Sequence, residues 1–471
     1  MRIALVQQNY KVGDTAGNAA KIRAAIAFAS SEGADMAVMG ADAVTGTPLL
    51  GLAESARFRE QAARELAGLE AFAASRGVRL VLSDTECEGV KIVCAADHFR
   101  HGVAEANRER IAASAVEEGR PVVWVNAVGA QTGTIYYGGS CVAYPSGKVL
   151  ALPLFEEAMT VIDTEGSAVC GVRNAVWGDR VEQLHRALVL GVRDYFAKTG
   201  CRDACVAMSG GIDSALVLAL AAEALGAEHV KTVMLPSEYS TDHSVTDSEE
   251  MIRRVGIPQG RSWLVSIART FDAAREALRP VLLSAAGAAA RGLAEENMQA
   301  RIRLMMTMAL ANSHGALMLN TSNKSEAAVG YGTLYGDTSG ALSVIGDVYK
   351  GDVYALARQI NGAAVGKGGV APIPEHILTK APSAELRPGQ KDSDSLPDYP
   401  VLDAILVRLV EGGKSSEEVI AEGYDRGTVE RVCRLLLAGD FKRFQLPPAL
   451  RVSGCTFGVE WRWPITAAKV L

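Results

Sequence analysis

The chain has 471 residues, 48 Lys plus Arg against 54 Asp plus Glu, and 49% hydrophobic residues, a length that calls for two or more hydrophobic cores. The formal charge of -6 gives no reason to expect nucleic acid as a partner, and no apolar run is long enough to cross a bilayer. Eight cysteines are spread too thinly for a disulfide-stapled fold. Met1-Arg2-Ile3-Ala4-Leu5-Val6 enters a strand-like run without the features of a secretory peptide, so a cytoplasmic location is expected.

Residues 3–7 read as a strand, and 18–31 as a helix in which Ala, Ile and Phe recur at helical spacing. Short apolar runs at 36–39, 78–83, 90–94 and 121–126 read as strands, with helices over 54–75 and 105–118. Residues 138–143 and 149–153 read as two strands around a Pro145-Ser146-Gly147 turn. This predicts a layered α/β domain over 1–163, then a weakly patterned connector over 164–180. A helix over 180–198 introduces the second domain, 181–471. There a strand at 205–208, a glycine-rich turn, a helix over 215–225 and a strand at 230–235 follow in the order of a parallel sheet with covering helices. Residues 266–293 read as loosely helical, 295–313 as a stronger helix and 316–320 as a strand. Pro, Gly and charged residues crowd 363–400, which reads as a long functional loop. Helices over 402–411 and 428–438 follow.

Ser209-Gly210-Gly211-Ile212-Asp213-Ser214 lies between a strand end and a helix start. Backbone amides there can turn toward an anion, and glycine lets a phosphate approach the chain. Asp213 would repel a phosphate unless a cation lay between them, which makes it the expected Mg2+ ligand. The spacing fits neither the dinucleotide fingerprint nor the Lys-containing nucleotide loop. A plain strand-to-helix turn with a Ser or Asp cap is the alternative. Cys201 and Cys205 are too far apart for a zinc knuckle, and no second pair follows.

This loop resembles the pyrophosphate-binding loop of the ATP-pyrophosphatase superfamily. Leu235-Pro236-Ser237, Glu295-Glu296-Asn297-Met298-Gln299-Ala300-Arg301, Asn323-Lys324-Ser325-Glu326, Tyr335-Gly336-Asp337 and Lys380-Ala381-Pro382-Ser383 resemble NAD synthetases, in that family's order. The resemblance implies a Rossmann-like parallel-sheet α/β domain that adenylates the carboxylate of deamido-NAD with ATP and replaces AMP with ammonia. It implies ATP and phosphate contacts from Ser209, Gly210, Gly211, Asp213, Ser214, Leu235, Thr321 and Ser383. Deamido-NAD contacts would come from Asn297, Arg301, Arg303, Glu326, Asp337 and Lys442, and Mg2+ contacts from Asp213, Glu326 and Ser383. Catalytic roles would fall to Asp213, Lys324, Asp337 and Lys350, the two lysines as phosphate contacts. Arg301 and Arg303 stand two apart on a helix, so they do not share one face. A homodimer or larger homo-oligomer is implied.

Residues 1–163 resemble a shortened nitrilase-type glutamine amidase domain, an α/β sandwich, through residues 2–8 and Val125-Asn126-Ala127-Val128-Gly129-Ala130-Gln131. That family hydrolyses an amide with a Glu, Lys and Cys trio, because a thiolate needs a base and a cationic neighbour. Gly40-Ala41 stand where the family has Pro-Glu, and the lysine and nucleophile segments have no counterpart. Cys94 falls past the nucleophile position. The expectation is an inactive amidase remnant and a synthetase that takes free ammonia, or ammonia from a separate source. The alternatives are a glutamine-dependent enzyme with a working amidase domain, another amide-forming or thiolating superfamily member, and a non-catalytic nucleotide-binding or scaffold protein.

Overall fold

The first unit is organised by strands that are apolar on both faces. The strands are β1 (Arg2–Gln7), β2 (Met36–Met39), β3 (Arg79–Val81), β4 (Thr85–Cys87), β5 (Val90–Ala95), β6 (Val122–Asn126), β7 (Val128–Gln131), β8 (Thr134–Tyr137), β9 (Cys141–Ala143), β10 (Val149–Ala151) and β11 (Ala158–Asp163). One sheet has the order β11-β1-β2-β3 and a second β10-β9-β6-β5-β4, while β7 and β8 form a hairpin. Alternation along β1 sends Ile3 and Leu5 into a core shared with Val123 and Val142 of the second sheet. It sends Ala4 and Val6 the other way, against Ile22, Ile26 and Leu69 of the helices Thr15–Ser31 and Ala56–Ser75. The helix Val103–Glu118 packs on β6 and β9. The result is a helix, sheet, sheet, helix sandwich. The hairpin and β4 escape the sequence reading because they are short, and β11, six residues long, because it carries no clean alternation.

The structure, a computed structural model, describes residues 1–165 and 177–468. Most of the expected connector, with Cys170, lies outside the described residues. The chain divides into units 1–198 and 199–471, which corrects the boundary expected near residue 163. The helix Arg180–Thr199, expected to introduce the second domain, belongs almost wholly to the first. Its buried Asp194 accepts hydrogen bonds from Asn9 Nδ2 at 2.7 Å and Ala130 N at 2.6 Å. Lys198 donates to Asn9 Oδ1 at 2.6 Å and to Ala130 O at 2.7 Å. An amphipathic pattern says that a helix has a buried face but not which core receives it.

The second unit is a five-stranded sheet, β12 (Asp203–Met208), β13 (Val230–Met234), β14 (Ser262–Leu264), β15 (Ala316–Asn320) and β16 (Leu342–Ser343). Every pairing is parallel, in the order β14-β13-β12-β15-β16. The chain leaves β12 toward one side and later returns to fill the other. Such a reversal opens a crevice at the carboxyl ends of the central strands, where ligands of open parallel sheets bind. The helix Ala288–Ser313 is continuous, where the sequence reads a loose and a strong segment. The expected loop over 363–400 is shorter, because the helix Lys350–Gly366 enters it and the helix Glu375–Thr379 interrupts it. The expected helix 402–411 begins earlier, as Tyr399–Leu406, and ends in a π-turn, Val407–Glu411.

At the amino end of the sheet, Asp203 is paired with Lys231, His229 and Arg261. Burial raises its carboxyl, but hydrogen bonds from those three groups outweigh that and hold it at about 2, below the usual 3.8. A depressed carboxyl stabilises the fold above its unfolded-state value, so the contribution is lost as pH falls from about 4 to about 2. Asp203→Asn should lower the denaturation midpoint at neutral pH and flatten the acid limb in that window. Denaturant titrations at a series of pH values check this, and an unaltered acid limb would contradict it.

Candidate active site

A cavity of about 300 Å³ opens at the carboxyl end of β12. Its floor is the glycine turn. Gly210 has φ of 74°, and a Cβ there would meet Ser244 O at 2.4 Å, so the backbone conformation and the close approach both require glycine. Ser209 Oγ accepts from Gly211 N at 3.2 Å, and the buried Ser214 hydroxyl donates to Gly211 O at 3.0 Å. No side chain caps the helix Ile212–Leu225, which leaves its leading amides available to an anion.

Beside this turn stands a buried ion triad. Lys350 Nζ lies 2.5 Å from Asp213 Oδ2 and 3.1 Å from Glu326 Oε1, and its ammonium sits over the Tyr399 ring. Burial disfavours the Lys350 charge, yet Asp213 and Glu326 more than compensate and hold the ammonium above the ordinary lysine range. Burial raises the Glu326 carboxyl despite Lys350, and Asp213 and Asp392 add to the rise. Asn323 Nδ2 donates to Asp213 Oδ1 at 2.9 Å while Asn323 Oδ1 caps the helix Lys324–Val329 through Glu326 N. One residue thus orients one carboxylate and starts the helix that carries the other.

Arg303 and Asp337 also line the cavity. Arg303 Nε donates to Leu235 O at 3.0 Å. Burial lowers its basicity, with Glu385 and Asp337 opposing. Asp337 accepts from Thr333 N at 2.6 Å. Burial raises its carboxyl, opposed by the hydrogen bond from Thr333 N and by the charges of Lys442 and Arg303. Residues 380–386 form a further part of the lining and are pinned in place. Glu385 accepts from Ser244 Oγ at 2.7 Å and Thr241 Oγ1 at 3.0 Å, Gln299 Nε2 donates to Leu386 O at 2.9 Å, and Lys380 pairs with Asp247 at 3.0 Å.

The cavity therefore brings together Ser209, Gly211, Asp213, Ser214, Leu235, Arg303, Thr321, Glu326, Asp337, Lys350 and Ser383. Other expected residues are placed elsewhere. Lys324 is fully buried and absent from the cavity lining, with its ammonium 3.0 Å from Asp347 and 3.1 Å from Glu411. Lys442 is absent from the lining; it donates to Gly330 O and Gly332 O, each at 2.7 Å, and its charge acts on Asp337. Asn297 accepts from Thr333 Oγ1 at 2.8 Å. Arg301 is exposed and donates to Leu334 O at 3.1 Å, on a different helix face from Arg303. Gly210 backs onto Ser244 rather than lining the space. Ser383 lines it, and its hydroxyl donates to Gln390 O at 2.6 Å. Sequence reasoning left Asn323, Glu385, Asp392 and Tyr399 out of the site. Asn323 was legible as a helix cap. Asp392, which accepts from Tyr399 OH at 2.9 Å and Tyr331 OH at 3.1 Å, sits in a loop with no pattern to read.

In the first unit, Ala41 at the end of β2 presents no carboxylate, and its amide donates to Ala95 O at 3.0 Å. A Cβ on Gly40 would lie 2.7 Å from Ala127 N. Asp42 is exposed with φ of 58°. Cys94 is buried in the apolar core between the sheets. Burial, with Asp84 adding to it, pushes its thiol up to about 12, the opposite of what a nucleophile needs.

The NAD synthase family model matches residues 184–447. The chain is 42% identical over 393 residues to a glutamine-dependent NAD(+) synthetase of Synechocystis sp., covering 82% of this chain and 68% of the relative. It is 41% identical over 378 residues to one of Rhodobacter capsulatus, covering 78% and 67%. A solved glutamine-dependent NAD+ synthetase from Acinetobacter baumannii, in complex with adenosine diphosphate, matches with a TM-score of 0.73 at 27% identity, covering 98% of each chain. One from Cytophaga hutchinsonii shares the fold, with a TM-score of 0.84 at 17% identity, over 100% of this chain and 98% of that one. The matched segment contains the whole lining of the cavity, and on that extent of likeness the chain belongs to the NAD synthase family of ligases, carrying a nitrilase-like amino-terminal domain.

Proposed function

We propose that this chain forms NAD by amidating deamido-NAD with ATP, and that it takes its nitrogen as ammonia. The observation that carries the synthetase reading is the triad of Asp213, Glu326 and Lys350 beside the glycine turn. With both carboxylates ionised, they and one ammonium leave negative charge next to a turn suited to an anion. A divalent cation resolves that conflict, and the two oxygen donors suit Mg2+, which takes one or two carboxylates and completes its shell with phosphate and water. Held by Asp213 and Glu326, it would screen the ATP phosphates. The turn amides then fix the phosphates in position. Asn323 keeps Asp213 aligned. Arg303 offers a partly desolvated cation to the anionic substrate, and Asp337 stands near it to take a proton from the attacking nitrogen. The substrate carboxylate attacks the α-phosphorus and diphosphate leaves. Ammonia then attacks the acyl carbon and AMP leaves. Catalysis is positioning plus electrostatic stabilisation, and the pinned segment 380–386 helps keep water from the acyl-adenylate.

The nitrogen source rests on Ala41 and Cys94. The first unit keeps the sandwich but offers no carboxylate at residue 41 and an inert thiol at 94. A second reading, glutamine hydrolysed by this unit, is favoured by the names of the relatives, which are glutamine-dependent enzymes.

Asp213→Asn and Glu326→Gln should each lower NAD formation by about 100-fold or more, measured with saturating ammonium. Retention of near-normal rates would count against the carboxylate pair. Cys94→Ala should leave NAD formation unchanged with either nitrogen donor. Glutamine should support far slower turnover than ammonium, and comparable rates, lost in Cys94→Ala, would establish the second reading instead.

A further inference from the structure

The turn of residues 323–326 has two opposed faces. Lys324 and Glu326 are two positions apart at a helix start, roughly 200° around the axis. Asn323 and Glu326 address the cavity side, where they meet Asp213 and Lys350. Lys324 goes the other way, into a site with no side-chain exposure. Its ammonium contacts Asp347 at 3.0 Å, Glu411 at 3.1 Å, Ser453 Oγ at 2.5 Å and Cys455 O at 2.9 Å. Asp347 in turn accepts from Val452 N at 2.8 Å, Ser453 N at 2.9 Å and Thr456 Oγ1 at 2.9 Å. A buried lysine with this many oxygen partners has no freedom to swing.

We propose that Lys324 is a positioning residue that locks the carboxyl-terminal segment 450–457 behind the turn 323–326, and so sets where Asn323 and Glu326 stand relative to Asp213. This rests on the reading of Asp213 and Glu326 as the Mg2+ pair. Lys324 touches no substrate. Its loss should leave the glycine turn intact and let Glu326 and Asn323 drift. ATP binding without divalent cation depends on the turn amides, whereas the added affinity that Mg2+ confers depends on the carboxylate pair.

The test compares ATP binding by calorimetry, with Mg2+ and with a chelator, in the full chain and in Lys324→Met, Lys324→Arg and Ser453→Ala. In Lys324→Met the Mg2+-dependent gain should fall by about tenfold, which is about 1.4 kcal/mol, while chelator-state affinity stays within about twofold of the parent. Lys324→Arg should recover part of the gain. Ser453→Ala, which removes one partner and keeps the charges balanced, should shift the gain in the same direction by less, and it supplies the answer if Lys324→Met does not fold. An unchanged Mg2+ gain in folded Lys324→Met, or in Ser453→Ala when Lys324→Met is unfolded, would overturn the proposal. Equal losses with and without Mg2+ would also overturn it, since they indicate a direct phosphate contact. Absence of any Mg2+ gain in the parent chain would instead sink the reading of the carboxylate pair.

Discussion

The second unit depends on one buried ammonium. Lys350 is almost fully buried and holds Asp213 and Glu326 together beside the glycine turn. These residues come from three different helix starts, Ile212–Leu225, Lys324–Val329 and Lys350–Gly366. Bringing them to one place constrains the sheet order and the connections around it. Burying such a group is costly unless each charge is paired and hydrogen-bonded. Here Asn323 and Tyr399 supply much of the remaining pairing. A site whose charges do not cancel, placed against a turn that attracts anions, is fitted to a reaction that brings phosphates and a cation together.

The first unit keeps the nitrilase-like sandwich with Ala41 and a buried Cys94 in its layers. The sandwich needs only apolar alternation and small residues where layers meet, and those remain. Gly40 and Ala41 fit closely against Ala95 and Ala127, so the end of β2 is well packed without a carboxylate. The same packing that keeps the sheets together buries Cys94 and denies it a thiolate. Stability and activity make separate demands on these positions, and the packing of the sandwich meets the first.

Much of this was legible in the sequence because the signals were local. The glycine turn, the strand before it and the helix after it lie within a few residues, and Asp213, singled out by its charge beside that turn, lines the cavity. Glu326, Lys350 and Asp337 came through a resemblance rather than through spacing, yet all three line the cavity. Lys324 stands beside a motif, and only tertiary structure reveals Asp347 and Glu411 around its ammonium. The carbonyl partners of Lys442 and Arg301 are likewise distant in sequence. The domain boundary was lost because the helix Arg180–Thr199 carries its decisive partners, Asn9 and Ala130, far away in sequence. Asp392 and Glu385 sit in segments without periodicity, so nothing local announced them.

In the proposed reaction the triad site activates a carboxylate as an adenylate before nitrogen arrives. Exchange of labelled diphosphate into ATP, measured with deamido-NAD present and every nitrogen donor withheld, tests that order of events. The account predicts exchange that requires deamido-NAD and Mg2+ together. No exchange under those conditions, with NAD still formed once ammonium is added, would contradict it.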